Sequence, residues 1–319
     1  MESQVEQTSD AMASKRFDGS WERAHRNITA AACIGLLITG VLYVYAQSFL
    51  TIIFVFINSS GELHAFKGGN FIERLSHSIV LLKNPLRYSV IISQFLFMLL
   101  PILWIIKRWH TTHVLSYVRI SRISFLELSV AIAATICFIP VSGGISDFFA
   151  KQLNMPDFLA QINAQIFTSY SIEELLWLIV VVCITPALCE EVLFRGYFQR
   201  TLERTLGMKS LFIAGIIFGL YHMQPLNLIS LALLGIMFGY FFYRSKSLLP
   251  GVAAHFINNL IAVFSLYKTH DGRVFFDVFD LEITFLGVII ALVLTGGWLY
   301  IYHRITQINF EDKLSLAGN

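Results

Sequence analysis

Charge is what this chain has least of. Only 14% of its 319 residues are Asp, Glu, Lys or Arg, against roughly 25% in soluble globular proteins. That deficit excludes a molecule whose whole surface faces water. The formal net charge is +2, and no stretch is dense enough in Lys and Arg to grip a phosphate backbone, which excludes a nucleic-acid partner. Cysteine is scarce as well. Cys33, Cys137, Cys183 and Cys189 each fall inside an apolar run and no CxxC spacing occurs, so neither a zinc knuckle nor a disulfide framework is indicated. Such thiols pack as small hydrophobes. Low-complexity sequence, obvious internal repeats and an HExxH zinc helix are all missing.

What the chain has is oil. Hydrophobic residues make up 56% of the sequence, the mean hydropathy is +0.66, and apolar runs of about 20 residues recur, the length one helix needs to cross a bilayer. The expected fold is therefore all-α: a polytopic membrane protein of about eight transmembrane helices in one bundle. The spans read as Ile28–Ile57, Tyr88–Ile106, Ser124–Pro140, Ile172–Phe194, Ser210–His222, Leu226–Tyr243, Leu248–Tyr267 and Leu281–Tyr302. The fifth is short for a crossing and leans on its neighbours or on a re-entrant turn at Gln224-Pro225. The first follows a polar, basic tail but is about twice the length of a signal-peptide core, so it reads as a retained span.

With the N-terminus inside, sixteen of the 23 Lys and Arg residues fall in inner segments and seven in outer ones. The positive-inside bias thus puts both termini in the cytoplasm. The long outer connections Asn58–Arg87 and Val141–Ser171 mix apolar and polar residues, as interfacial helices do. The organisation expected is a cytoplasmic tail over 1–27, N-terminal helices and interfacial connections over 28–171, a core over 172–267, and a last span with its tail over 268–319.

Glu190 and Glu191 stand inside one of these apolar runs, after Leu-Cys and before Val-Leu-Phe-Arg195. A carboxylate at membrane depth costs at least ~2.5–3.5 kcal/mol, so an intramembrane acid marks a functional site by default. Neighbours on a helix turn by about 100°, so the two acids cannot share one direction. Glu191 and Arg195 are four apart, the spacing of an intrahelical ion pair, which leaves Glu190 facing the bundle interior as a candidate base. Pro186, four before Glu190, frees a backbone carbonyl one turn earlier.

His222 lies thirteen residues beyond Lys209, roughly 20 Å along a straight helix, and His255 about two turns into its span, so both can reach the depth of the acids. His255 and Asn259 share a helix face at i,i+4, with Asn258 a substitute at i,i+3. Such a pair can donate hydrogen bonds to a developing oxyanion. Phe218 stands one turn before His222, and Gly215 and Gly219 allow close helix approach.

Glu190-Glu191-Val-Leu-Phe-Arg195, Phe218…His222 and His255…Asn259 resemble, in order, the EExxxR, FxxxH and HxxxN motifs of the CPBP family. These are intramembrane proteases related to the type II CAAX prenyl endopeptidase, also called the Abi family. The resemblance covers about Ile172 to Tyr267, and the earlier spans carry nothing diagnostic. It implies hydrolysis of peptide bonds in membrane-associated peptide or protein substrates. Glu190 would activate a water with help from His222, while His255 and Asn259 would hold the oxyanion and Glu191, Arg195 and Phe218 would support them. By the same resemblance the protein is a bacterial inner-membrane (plasma-membrane) enzyme whose site opens toward the cytoplasmic half. Its substrates would be signal-, bacteriocin- or pheromone-type peptides rather than prenylated tails.

No cofactor is required on this reading. Glu190, His222 and His255 also make up the three-ligand set of a catalytic zinc, although an Asn beside His255 suits oxyanion binding better. Each motif has a plainer meaning too. Glu191–Arg195 is a packing ion pair, and Gly235 and Gly239 are a packing GxxxG. Glu127 snorkels or pairs with Arg122, and Cys189 is structural. His25, His64, His77, His110, His113, His270 and His303 are assigned no role. Two rival functions share these residues. A non-catalytic immunity or scaffold protein of the same fold has no need of buried acids. A proton- or metal-coupled transporter would place polar residues in both halves of the chain, whereas here they cluster in the second.

Overall fold

The computed structural model describes residues 17–58, 71–154, 166–268 and 284–315, with the side chains of 58, 71–80 and 307–315 outside the description. These residues are helical throughout, apart from turns and one isolated parallel bridge between Ser169 and Tyr267. Among the described residues, eight apolar helices, six long and two shorter, carry the fold. They are α1 (Ile28–Asn58), α2 (71–110), α3 (Phe125–Gln152), α4 (Ile172–Leu206), α5 (Lys209–Tyr221), α6 (Leu228–Ser245), α7 (Leu249–Ser265) and α8 (Phe285–Ser315).

Six of them, α1–α4, α6 and α8, are long and apolar enough to cross a membrane; α5 and α7 are shorter. A multi-pass membrane protein follows. The expected eight spans thus resolve into six long helices and two shorter ones.

Several expected boundaries move outward because each helix runs on into its amphipathic flank. The segment Phe71–Val80, expected to lie in the interface, is the start of α2, and Val141–Gln152 continues α3. Residues 59–70 and 155–165 of the two long connections lie outside the described residues, as do His64, His270 and the side chain of His77. Helix starts follow local chemistry. Ser124 and Ser171 cap α3 and α4 by accepting from the backbone N–H of Glu127 and Glu174, both Ser-x-x-Glu capping signatures. Glu127 is buried, so the expectation that it snorkels is not met. The α4–α5 break needs Gly207, whose φ of +55° is costly for any other residue.

The two ends of the bundle differ. One gathers the start of α1, the end of α2, the α4–α5 and α6–α7 turns and the end of α8. There Gly19 N–H bonds the His110 carbonyl, Leu248 N–H the Arg119 carbonyl, and the Arg244 guanidinium the His303 carbonyl. This is the arginine-rich end, where most of the cations fall. The opposite end joins α2 to the approach to α4: Arg87 donates to Glu174 at 2.7 Å and to the carbonyls of Ile166 and Thr168. α4 runs through the middle: its most apolar 18-residue window is 44% buried, against 22% for α1 and 17% for α8. α5 and α6 cross at near-backbone contact, since a Cβ on Gly235 would sit 2.8 Å from the Gly215 carbonyl oxygen.

Candidate active site

α4 is not a regular α-helix where it carries the acids. Wide π turns at Ile179–Ile184 and Val192–Gln199 flank the α-helical stretch Thr185–Glu191, a distortion common at functional sites. One cause is legible in the sequence. Pro186 has no N–H to give the carbonyl of Val182, and the side-chain amide of Asn259 on α7 donates to it instead, at 2.8 Å. The carbonyl that Pro186 releases thereby docks α7 against α4 at the level of the glutamates.

The two acids diverge as their 100° separation requires. Glu191 is fully buried; its Oε1 accepts from Arg195 at 2.7 Å and meets His255 Nδ1 at 2.9 Å. Arg195, equally buried, also donates to the carbonyl of Gly235 at 2.9 Å. The expected ion pair is present, and it reaches one partner further than expected, to His255. Glu190 turns the other way, onto the wall of a cavity of about 770 Å³. Its Oε1 accepts from Gln94 Nε2 at 3.0 Å. Its Oε2 has no hydrogen-bond partner among the described residues and lies 3.8 Å from His222 Nε2 and 4.0 Å from His255 Nε2.

Hydrogen-bond bookkeeping fixes the tautomers. His222 Nδ1 sits 2.7 Å from the Phe218 carbonyl, which can only accept. His255 Nδ1 faces a carboxylate already paired with Arg195. Both Nδ1 atoms therefore carry hydrogen, and both Nε2 atoms turn toward Glu190 Oε2. The Phe218 ring is the hub of this packing. It lies edge-on to His222 at 4.6 Å, to His255 at 5.8 Å and to Phe194 at 5.2 Å, and the Arg195 guanidinium sits 4.4 Å from its centroid.

Glu190, His222 and His255 thus converge, while Glu191, Arg195 and Phe218 support them from behind. Asn259 lines the same cavity, with one amide hydrogen given to Val182 and its oxygen accepting from Asn258 at 3.1 Å. Gln94 is the residue the sequence reading missed. Its signal was available: an amide inside the otherwise apolar second span, where polar groups are costly. Among the described residues, no three His, Cys, Asp or Glu side chains are grouped so as to hold a metal ion. The zinc set does not fit, and no step below is routed through a metal.

The remaining expectations sort cleanly. Cys189 is packed in the core cluster of α4. Gly235 and Gly239 do pack closely, and their carbonyls also hold Arg195 and Gln199. His110, assigned no role, is buried against Glu22 at 2.6 Å. The cavity runs from Glu190 past Gln47, Thr51 and Arg87 to Met223, Gln224 and Leu266. These residues belong to the end opposite the arginine-rich one, so the cavity does not open at the arginine-rich end.

Residues 172–261 match the family described as Type II CAAX prenyl endopeptidase Rce1-like. The matched segment starts at the first residue of α4, ends within α7 and contains the seven candidate residues read from the sequence, but not Gln94. This is consistent with a CPBP family protease, and at family level it supports a membrane protease. No curated protein and no solved structure matches the chain.

Proposed function

We propose that this protein is an intramembrane endopeptidase in which Glu190 activates a water molecule to cleave peptide bonds of membrane-associated substrates. The observation that carries the reading is the free Oε2 of Glu190, buried at a cavity wall and facing two imidazole Nε2 atoms at 3.8 and 4.0 Å. A water there can donate one hydrogen to Glu190 Oε2 and the other to the bare Nε2 of His222. Its lone pair then points into the cavity, where the scissile carbonyl would lie. As the water attacks, Glu190 takes its proton, and the same carboxylic acid returns it to the leaving amine. General acid–base transfer of this kind contributes about 10²–10⁴-fold.

The carbonyl oxygen gains negative charge in the same step. His255 has its Nδ1–H committed to Glu191, so it donates from Nε2 only as an imidazolium. Glu191 lies in hydrogen-bond contact with that ring and fixes its orientation. Asn259 keeps a second N–H for the same oxyanion. Gln94, by holding Glu190 Oε1, orients the carboxylate so that Oε2 is the reactive atom; it is a positioning residue. Preorganised donors of this kind are worth about 2.7–4 kcal/mol each when removed.

The test compares membrane peptidomes of cells carrying the wild-type protein or Glu190→Ala. New peptide ends confined to the wild type are expected, and would identify the substrate. Equal peptide ends together with full biological complementation by the mutant would sink proteolysis and favour a scaffold. Chelation of the purified enzyme is expected to leave its rate unchanged; a loss restored by added zinc would reinstate the three-ligand alternative.

A further inference from the structure

We infer that the catalytic cavity is served from the non-cytoplasmic side of the membrane, and that its substrates are extended, largely uncharged polypeptide segments reaching it from that face. The inference rests on the proteolytic reading for the word substrate, but its geometric part stands without it.

Two independent observations meet here. The first is the direction of the cavity. Every helix that lines it does so with the half pointing away from the arginine-rich end: α1 with Tyr43 to Ile52, α2 with Leu86 to Gln94, α4 with Val181 to Glu190, and α7 with His255 to Val263. Glu190, Phe238 and His255 form its inner limit. α5 explains the recess. Its 13 residues rise only about 20 Å, short of the ~30 Å hydrocarbon core, so the chain turns back at His222 before reaching the far surface. Met223 and Gln224, exposed on that turn, form part of the cavity's outer rim.

The second observation is where the cations are. Among the residues whose side chains are described, twelve Lys and Arg lie toward the arginine-rich end and four (Lys83, Arg87, Lys151 and Lys268) toward the other, with Arg195 buried between them. Lysine and arginine near span ends set orientation largely without regard to Asp and Glu. The arginine-rich end, with the start of α1 and the end of α8, therefore faces the cytoplasm. The rim, on the other side of the bundle, faces out.

The wall chemistry narrows what can enter. Among the described residues, and apart from the proposed catalytic groups, the one charged side chain on it is Arg87, which is already paired with Glu174. The rest is apolar surface interrupted by amides and hydroxyls, among them Gln47, Ser48, Thr51 and Asn258. Such a wall offers hydrogen bonds to an unwound backbone and no counter-ion to a charged side chain, which costs most to bury unpaired. A peptide segment emerging from the outer leaflet fits it; a soluble, highly charged peptide does not.

The test needs no substrate. Full-length protein carrying Gln224→Cys at the rim, or Arg23→Cys at the arginine-rich end, is treated in intact cells with a membrane-impermeant maleimide. Wild type measures the background of the four native cysteines. Gln224→Cys is expected to label to the same extent before and after permeabilisation, and Arg23→Cys only after it. A second readout avoids the substitutions: green fluorescent protein fused after Asn319 should fluoresce and alkaline phosphatase fused there should be inactive. The reverse pattern in either assay overturns the proposed sidedness while leaving proteolysis untouched. Conversely, an active Glu190→Gln enzyme would remove the protease and leave these labelling results standing.

Discussion

Two sets of carboxylates in this bundle, one at its arginine-rich end and one midway along α4, are wired differently. At the arginine-rich end Glu203 accepts from Arg119 at 2.7 and 3.0 Å and from Lys246 at 2.6 Å. Glu22 is gripped by Arg204 at 2.5 and 3.0 Å and by His110 at 2.6 Å. Both oxygens of each are engaged. Midway along α4 the pattern changes. Glu190 has one oxygen held by Gln94 and the other without a donor on a cavity wall. Glu191 also has one unpartnered oxygen, but it faces Gly251, where an added Cβ would lie 2.9 Å away. On the proposed reading, saturation marks the structural acids, and the unshared lone pair of Glu190 marks the reactive one because there is room beside it.

That contrast can be broken most severely at Glu190. Glu190→Gln keeps the shape and removes the base, so proteolysis should fall about 10²–10⁴-fold while thermal unfolding in detergent stays unchanged. A large loss of stability instead would mean that Glu190 belongs with the structural set. Arg195→Met attacks the neighbouring pair. It strands Glu191 as an uncompensated buried charge and should cost ~3–5 kcal/mol of stability. The double variant Glu191→Gln/Arg195→Met should recover part of that. The matching change at the arginine-rich end, Glu203→Gln, leaves the partly exposed Arg119 and Lys246 without their carboxylate; it should cost more than the ~1 kcal/mol of an exposed pair, less than the buried pair, and leave the rate alone.

Gln94→Leu sharpens the comparison further. Losing a hydrogen bond to a charged group is worth ~1.5–3 kcal/mol, so kcat should drop roughly 10- to 100-fold with KM little changed. A purely structural Gln94 would move unfolding and not kcat. The smallest effect concerns acid. Burial raises the Glu22 carboxyl, but hydrogen bonds from His110 and Arg204 more than offset it and hold its pKa below 4.5. With the folded value depressed, its stabilising contribution is complete above that pH and is lost as pH falls through the folded value. Trp21, stacked on Trp109 at 4.8 Å, reports it: its fluorescence should change in strong acid and stay flat from neutrality down to about pH 5. In Glu22→Gln the acid transition should vanish.

Much of this was written in the chain. The apolar runs required helices, the Ser-x-x-Glu signatures began two of them, and the order of the three motifs located the candidate site. The i,i+4 spacing of Glu191 and Arg195 foretold their pairing because both lie on one helix, where geometry is fixed by 3.6 residues per turn. Pro186 announced a released carbonyl at Val182 for the same reason.

Contacts between helices were a different matter. Nothing in the spacing of Gln94 says that α2 brings it to Glu190, 96 residues away, or that His255 leans on Glu191 from α7. Nor could composition reveal that Glu127 is buried, that His110 anchors Glu22, or which way the cavity runs. Sequence determined the helices, their depth and the chemical groups they carry, because those follow from local periodicity and the cost of charge in oil. Tertiary structure alone decided which groups meet, which oxygen stays unshared and which end of the bundle opens, because these depend on how rotated and how long each helix is beside its neighbours.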